Sequence, residues 1–127
     1  MLQLQKFIST LNLSIKSKNF YFKITYTKFI LNIIQLLVKR GYFIGFKLCS
    51  DNPRKVVVFF KMNLEQKSLI FSSCHQVSKP NRPIFFRGGQ MPINTTSLFV
   101  LSTERGLLTH KEASIYKIGG LVLFKLI

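Results

Sequence analysis

TKFILNIIQLLVKRG, residues 27–41, carries the clearest structural signal in this sequence of 127 residues. Its apolar side chains, from Phe29 to Val38, recur at the three- and four-residue spacing of one helix face. Thr27 offers a hydroxyl for an N-cap, and the basic last turn runs into Gly41, which suits a C-cap. We therefore predict an amphipathic helix here, with a wide apolar stripe that must be buried.

The segments on either side of this helix predict an α/β lobe. Residues 4–15 place apolar side chains at helical spacing, and residues 20–25 alternate between apolar and polar side chains as a strand does. Residues 42–48 and 54–60 are apolar and β-prone, and the turn-forming residues 51–53 (DNP) lie between them. The order is therefore helix, strand, helix, strand, strand, and the last two strands should form a hairpin packed on the second helix.

The second half of the chain is mostly strand-forming. We expect strands at 67–71, 84–86, 98–101 and 121–127. Residues 77–83 contain two prolines, which lack the ladder donor, so this segment cannot be central in a sheet. Thr109 and Glu112 form a capping-box pattern for a short helix through Tyr116, and Gly119-Gly120 should end it.

These elements predict an α+β fold with two lobes. Residues 1–64 would form the N-terminal α/β lobe. Residues 65–127 would form a mainly antiparallel β lobe with one short helix. The lobe boundary should fall near residues 62–68, and no internal repeat or low-complexity linker is visible in the sequence.

The chain carries far more basic than acidic residues. Lys and Arg number 19, Asp and Glu only 4, and the formal net charge is +15. Residues 1–64 hold a net charge of +10 and residues 65–127 a net charge of +5. Such a surplus destabilises a folded chain through self-repulsion unless a polyanion neutralises it. The composition therefore predicts a nucleic acid or an anionic membrane surface as the partner.

Several classes of site lack the residues that they need. Four carboxylates are too few for a multi-carboxylate metal site or a paired-carboxylate hydrolase. Cys49 and Cys74 belong to no CxxC pair. A membrane span needs about 20 apolar residues, whereas the longest apolar run in a helical segment covers residues 29–38. We predict no catalytic residue, no metal ligand and no cofactor.

The two histidines and the glycine pairs have ordinary structural explanations. His75 and His110 lack the spacing of a metal box, and we interpret both as surface or capping histidines. A Ser–His–Asp set could be assembled from Ser102, His110 and Asp51, but no nucleophile elbow flanks the serine. The two Gly-Gly pairs, one in residues 88–89, lack the strand–loop–helix context of a phosphate-binding loop, so we interpret them as turns.

The stretch STERG, residues 102–106, is the most informative polar segment. It follows a predicted buried strand and brings two hydroxyls, a guanidinium and a glycine into one loop. These groups suit a 2′-OH, a base edge or a phosphate, although the same residues also make an ordinary polar turn. Phe85 and Phe86 are adjacent on a predicted strand and must point to opposite faces, so one of them could face RNA. Most of the 13 phenylalanines should instead pack in the core.

The same loop belongs to a series of motifs that resembles the eighth protein family of the small ribosomal subunit. The family's C-terminal signature runs approximately LSTSKGVMTDxEAR and then GGEVL, and an ISKPGxR segment lies upstream of it. The resemblance is collinear over nearly the whole chain. It is carried by residues 26–29 (YTKF), 41–43 (GYF), 77–82 (VSKPNR), 91–92 (MP), 101–109 (LSTERGLLT), 112–113 (EA) and 119–123 (GGLVL).

The chain departs from the family pattern within the C-terminal signature. Glu104 stands where the family usually has Ser, and Arg105 replaces Lys and preserves the charge. Leu121 replaces an acidic residue, so any contact of that acid is absent here. His110 and Ser114 replace the usual Asp and Arg. These changes indicate a divergent relative.

The resemblance implies a structural constituent of the small ribosomal subunit. Such a protein would bind a helix in the central domain of small-subunit rRNA early in assembly, beside neighbouring ribosomal proteins, and would catalyse no reaction. The C-terminal lobe would be the rRNA-binding lobe. The residues that would contact RNA, by their positions in the motifs, are Ser102, Thr103, Arg105, Gly106, Ser78, Lys79, Pro80, Arg82, Lys28 and Tyr26.

Two other functions are compatible with a basic chain of this composition. A peripheral membrane protein would use residues 4–15 and 27–40 as interfacial helices. A small RNA-modifying enzyme would need a cofactor loop or a general base, neither of which is visible.

The resemblance begins within the first dozen residues, so we expect no cleaved transit peptide. The bias toward Lys, Ile, Phe and Asn is typical of AT-rich organelle genes. We expect a mitochondrial ribosome first and a plastid ribosome second.

Overall fold

The computed structural model describes residues 2–25, 27–63, 68–69, 72–87 and 97–127. The elements within these ranges are α1 (Leu2–Lys16), β1 (Tyr21–Thr25), α2 (Lys28–Lys39), β2 (Phe43–Leu48), β3 (Lys55–Phe60), β4 (Met62–Asn63), β5 (Ser68–Leu69), β6 (Cys74–Gln76), β7 (Phe85–Phe86), β8 (Leu98–Thr103), β9 (Gly106–Thr109), α3 (His110–Tyr116) and β10 (Gly120–Leu126). They form two compact units, residues 2–72 and 73–127. The predicted α+β class is confirmed, and the lobe division after residue 64 stays a prediction.

The N-terminal unit is built on an antiparallel sheet in the order β1-β3-β2. The predicted hairpin between β2 and β3 is confirmed, with Phe46 opposite Val58 and a register shift between Phe43 and Gly45. On the other side of β3, Phe22 lies opposite Val58. A second, two-stranded pairing joins β4 to β5, so part of the predicted strand at 67–71 is present and its other residues lie outside the described ranges.

Phenylalanine rings make the centre of this unit. Phe22 lies 6.0 Å from Phe7, 5.9 Å from Phe43 and 5.3 Å from Phe60, measured between ring centroids. All four side chains are nearly or fully buried. Edge-to-face and tilted pairs at these distances stabilise a core beyond the area that they bury. The expectation that phenylalanines pack in the core is confirmed for these four.

Both predicted helices of this unit are present, and their apolar faces are buried. On α1 the buried side chains include Leu4, Phe7 and Leu11, and on α2 they include Ile33 and Leu37. These faces pack in protein, so they are not available for insertion into a lipid surface, as the membrane-binding alternative requires. Within the described ranges, the helices fall short of the length and apolar character that a bilayer crossing demands.

The ends of α2 follow the predicted capping chemistry. The Thr27 hydroxyl accepts a hydrogen bond from the Ile30 N–H at 3.4 Å and donates to Gln3 Oε1 at 3.1 Å. At the other end, the Arg40 N–H donates to the Leu36 carbonyl at 3.0 Å. Gly41 follows with φ of +86°, the left-handed conformation that glycine adopts without strain. Thr27 as N-cap and Gly41 at the helix end are therefore confirmed.

In its described residues, the C-terminal unit forms a five-stranded antiparallel sheet with β10 at its centre. The order is β6-β10-β8-β9, and β7 also pairs with β10. The last strand thus contacts three others, and a register shift between Val122 and Phe124 divides it into two halves. Two short strands, β6 and β9, were not expected from the sequence because runs of three or four residues carry little periodicity.

Helix α3 packs on this sheet through a small apolar cluster. Leu101, Ala113 and Val122 are fully buried, and Phe86 and Phe99 pack against them. The helix begins as predicted at Thr109, whose hydroxyl accepts from the Glu112 N–H at 3.3 Å. The cluster holds β8, β10 and α3 together as the frame of the turn described below.

Two expectations for this region were wrong. The helix ends at Tyr116 as predicted, but its C-cap is Lys117, in the left-handed conformation at φ +57°, and not the glycine pair. Gly120 instead lies within β10, where a Cβ atom would come within 2.5 Å of the Ser102 carbonyl oxygen. His110 is not a surface or capping histidine, because it is buried and its Nδ1 accepts from the Phe99 N–H at 3.2 Å. The glycine pair at 88–89 lies outside the described residues.

Candidate nucleic-acid interface

The predicted polar loop is an exposed hairpin turn between β8 and β9. Thr103 pairs with Gly106, so Glu104 and Arg105 form the tip. Gly106 has φ of +99°, a conformation that favours glycine over any residue with a side chain. Ser102, Glu104, Arg105 and Gly106 are all exposed. The turn is therefore held by two strands and presents its polar groups to the outside.

The Thr103 hydroxyl shapes this turn. It donates to the Gly106 carbonyl at 2.8 Å and accepts from the Arg105 N–H at 3.2 Å. A hydroxyl has one donor hydrogen, so the bond to Gly106 occupies the donor role of Thr103. Thr103 acts first as a support for the tip, and Ser102 is the more available of the two hydroxyls. Within the described part of the chain, the Ser102 hydroxyl has no hydrogen-bond partner.

The Arg105 side chain rests on an aromatic ring. Its Cζ atom lies 4.8 Å from the centroid of the Tyr116 ring, at the C-terminal end of α3. Such a cation–π contact restricts the guanidinium while leaving its N–H groups able to bind a phosphate. Tyr116 was missed by the sequence analysis. Nothing local to residue 116 signals the contact, because the return of α3 onto the sheet creates it.

The second predicted segment, 77–82, is a tight turn on the same unit. The Lys79 N–H donates to the Arg82 carbonyl at 3.3 Å, and the Arg82 N–H donates to the Lys79 carbonyl at 2.9 Å. Lys79, Pro80 and Arg82 are exposed at this turn. Two cationic side chains therefore project from a short, closed loop.

Ser78, in contrast, is fully buried. Its hydroxyl donates to the Ile84 carbonyl at 3.2 Å and accepts from the Ile84 N–H at 2.9 Å. This side chain has no surface to offer a ligand, so we revise its predicted role from RNA contact to support of the loop. Burial of a serine with both hydrogen-bonding roles used is a structural arrangement that the motif alone does not reveal.

Strand pairing brings Phe85, three residues after this segment, near the 102–106 turn. Leu121 of β10 lies opposite Phe85 on one side and opposite Ser102 on the other. Residues that are paired in this way point to the same face, and strands lie about 4.8 Å apart. Phe85 and Ser102 therefore share a face at a separation of roughly 10 Å, with the half-buried Leu121 between them.

Phe85 and Phe86 point to opposite faces, as the sequence predicted. Phe85 is 66% exposed, whereas Phe86 packs on Phe99 with ring centroids 5.4 Å apart. An exposed phenylalanine in the same row as the exposed Ser102 offers a flat surface for a base. Phe85 thus joins the candidate interface and Phe86 belongs to the core.

The two N-terminal candidates lie in the other unit. Lys28 is exposed as the first residue of α2. Tyr26 lies outside the described residues. The candidates that follow residue 78 thus belong to the C-terminal unit, in a loop and in a hairpin turn, and Lys28 is a separate cation on the N-terminal unit.

The titratable groups near the interface are few. Burial raises the pKa of Cys74 to about 12, so this thiol is neutral and unreactive at physiological pH. Burial lowers the pKa of His110, and the charge of the adjacent Lys111 lowers it further. Among the residues that the structure describes, no His, Cys, Asp and Glu side chains cluster as metal ligands would. The exposed groups of the interface are cations, a hydroxyl and a ring, together with Glu104.

The candidate site is thus an exposed turn that carries a cation and a hydroxyl on an α+β frame. The family model of ribosomal protein S8 matches residues 3–126. The chain therefore belongs to the ribosomal protein S8 family, and so to the proteins of the small ribosomal subunit.

Curated bacterial relatives agree with this assignment. The small ribosomal subunit protein uS8 of Parabacteroides distasonis is 30% identical over 120 residues, which cover 92% of each chain. The uS8 protein of Syntrophus aciditrophicus is 30% identical over 105 residues, covering 80% of this chain and 79% of its own. That of Bacteroides thetaiotaomicron is 32% identical over 94 residues, covering 72% of each.

Proposed function

We propose that this ribosomal protein binds the central domain of small-subunit rRNA and supports its assembly, without catalysis and without a cofactor. The observation that carries the proposal is the 102–106 turn, where Ser102 and Arg105 are exposed on a turn fixed by Thr103. A rigid turn can hold a hydroxyl and a guanidinium at a fixed spacing, which is what recognition of an irregular RNA backbone requires.

The mechanism has a non-specific and a specific part. Lys79, Arg82 and Arg105 would neutralise phosphates and release counterions, which strengthens binding to any RNA. The Ser102 hydroxyl and the Phe85 ring would contact unpaired nucleotides, because the deep groove of regular A-form RNA excludes side chains. Cations thus set the affinity, and the row from Phe85 to Ser102 sets the specificity.

Ser102→Ala tests the specific part. The hydroxyl makes no described contact within the protein, so its loss should leave the fold intact and weaken central-domain binding by roughly 3- to 100-fold. Binding to random RNA should not change. The measurement is a filter-binding titration of the purified chain against the central domain, the other rRNA domains and random RNA.

Ser17→Ala is the matched control, because Ser17 is an exposed serine just after α1. It should bind every RNA as the unmodified chain does. An unchanged ratio of central-domain to random-RNA affinity in Ser102→Ala would reject the role of the turn. Preference for another rRNA domain would reject the proposed target.

For the cellular location, we propose the ribosome of a mitochondrion, with a plastid as the second choice. The support is compositional: the chain has 13 Phe and no Trp, alongside the bias toward Lys, Ile and Asn. Co-sedimentation of a tagged chain with mitochondrial or plastid ribosomes tests this, and recovery only with cytosolic ribosomes would contradict it.

A further inference from the structure

The three-stranded sheet of the N-terminal unit has a second face that its core does not use. Side chains alternate along a strand, so Phe22 and Val58 face the core while their neighbours face the other way. We name this surface the outer face. Its members are Tyr21, Lys23 and Thr25 of β1, Lys55, Val57 and Phe59 of β3, and Gly45 and Lys47 of β2.

Lysines and aromatic rings occupy adjacent rows of the outer face. In one row, Val57 lies between Lys23 and Lys47, which pair with it from the two neighbouring strands. In the next row, Phe59 lies between Tyr21 and Gly45. Val57 and Phe59 of β3 therefore lie in the middle of the face. Lysines flank Val57 on both sides, and Tyr21 lies beside Phe59.

The aromatic row is accessible from outside. Tyr21 is 49% exposed, and its ring centroid lies 6.5 Å from that of Phe59 at an interplanar angle of 50°. The Lys47 ammonium lies 5.7 Å from the Phe59 ring centroid. A Cβ atom built at Gly45 would meet nothing within 4 Å, so that side of Phe59 is open. An incoming planar group can reach both rings.

A groove of about 490 Å³ is lined by Tyr21, Lys23, Lys47, Val57 and Phe59, together with residues 48–51. This volume is within the range of about 300–1,000 Å³ that small ligands occupy. Lys23 and Lys47 form its sides, and Asp51 is the one carboxylate among the residues that line it. Lys55 lies on the same face but is not among the residues that line the groove. The charge of the groove therefore favours an anionic occupant.

We propose that the outer face binds an unpaired segment of RNA. Bases stack on Tyr21 and Phe59, and the phosphates lie against Lys23 and Lys47. Alternating rings and cations on an open sheet are the arrangement with which proteins hold single strands without reading their sequence. The site uses none of the residues that the family resemblance implicates, so it is a separate surface that goes beyond the proposed function.

Photo-crosslinking tests the placement directly. The experiment uses the full chain with Arg105→Ala, which weakens RNA binding at the 102–106 turn. This variant is mixed with an eight-nucleotide oligouridylate that contains 5-iodouridine, and the mixture is irradiated. Peptide mapping should locate the crosslink at Tyr21 or Phe59. Crosslinks confined to other segments of the chain would overturn the proposal.

Matched variants test the chemistry in the same background. Tyr21→Leu should weaken oligouridylate binding roughly 5- to 150-fold, as the loss of one stacked base predicts. Phe20→Leu, which changes an exposed ring outside this face, should not weaken it.

Lys23→Gln with Lys47→Gln should lower the slope of log affinity against log salt by about 1.4. The control, Lys6→Gln with Lys39→Gln, removes two exposed helical lysines and should change this slope less.

The readout is fluorescence anisotropy, with thermal melting to show that each variant folds. Equal losses in the outer-face variants and their controls would overturn the proposal. Tighter binding of an acidic peptide than of the oligouridylate would also overturn it, because the face would then be a protein-binding surface.

Discussion

His110 is a buried histidine through which the stability of the fold should depend on pH. It is 1% exposed, and its Nδ1 accepts the Phe99 N–H, so that nitrogen must be unprotonated. Its Nε2 has no hydrogen-bond partner in the described part of the chain. A buried polar atom without a partner reduces stability. The ring also packs edge-on against Phe99, with centroids 5.6 Å apart, so the residue is part of the apolar frame.

Acid should therefore destabilise the protein through His110. Its pKa is lowered in the fold, so the unfolded chain takes up the proton first as the pH falls below about 6.5. The free energy of unfolding should fall by up to about 1.4 kcal/mol per pH unit until the folded pKa is passed. Urea denaturation at pH 7.5 and at pH 5.5 measures this loss of unfolding free energy.

The matched variants are His110→Asn and His75→Asn. The asparagine oxygen can accept the Phe99 N–H but does not titrate in this range, so His110→Asn should lose less stability on acidification. His75 is exposed and contacts the Ser73 hydroxyl at 3.1 Å, so its replacement should leave the acid sensitivity in place. An acid response that His110→Asn does not reduce would show that other groups cause it.

At the scale of elements, β10 organises the proposed interface. It pairs with β6, β7 and β8, and through Leu121 it aligns Phe85 with Ser102. Gly120 permits this close pairing, because a Cβ there would lie 2.5 Å from the Ser102 carbonyl oxygen and 2.7 Å from Thr103 Cγ2. Gly120, which looked like part of a helix stop, is thus a requirement of strand packing.

Gly120→Ala should move β8 away from β10. The backbone at Ser102 must shift to admit the methyl group, which should cost about 1–3 kcal/mol of unfolding free energy and weaken central-domain RNA binding. Gly45→Ala is the control, since its Cβ meets nothing and its effect should stay within about 1 kcal/mol. Urea denaturation compares the two variants. Equal free energies of unfolding would show that the contact between the new methyl group and Ser102 relaxes without cost.

At the scale of the molecule, the net charge of +15 belongs to both halves of the sequence. The exposed cations described above include Lys28, Lys79, Arg82 and Arg105. Self-repulsion among these groups is relieved when phosphates replace solvent counterions. The whole surface, and not one basic tail, should therefore respond to salt.

RNA affinity should fall steeply with salt. If about seven phosphates are engaged, binding should weaken by roughly 10³- to 10⁴-fold between 50 and 200 mM monovalent salt. Lys79→Gln with Arg82→Gln should lower the slope for central-domain RNA and random RNA alike. Filter binding across the salt range measures both, and an affinity that is flat with salt would contradict electrostatic docking.

Much of the fold was predictable because its signals are local. The caps at Thr27 and Gly41 and the start of α3 at Thr109 depend on side chains within four residues of the hydrogen bonds that they make. The exposed Ser102 and Arg105 were also identified from the sequence, through the resemblance to a family. The burial of Ser78 and the cation–π contact of Tyr116 were not, because each depends on how a turn or helix packs in the folded unit.

The sequence by itself determined the α+β class, the capped helices, the charge and the family. These follow from spacing and composition, which the linear order of residues records. Only the tertiary structure decided which hydroxyl is exposed, which phenylalanine faces outward and why Gly120 is glycine. Those outcomes depend on the pairing of residues 85, 102 and 121, which are distant in the chain and become neighbours when the strands align.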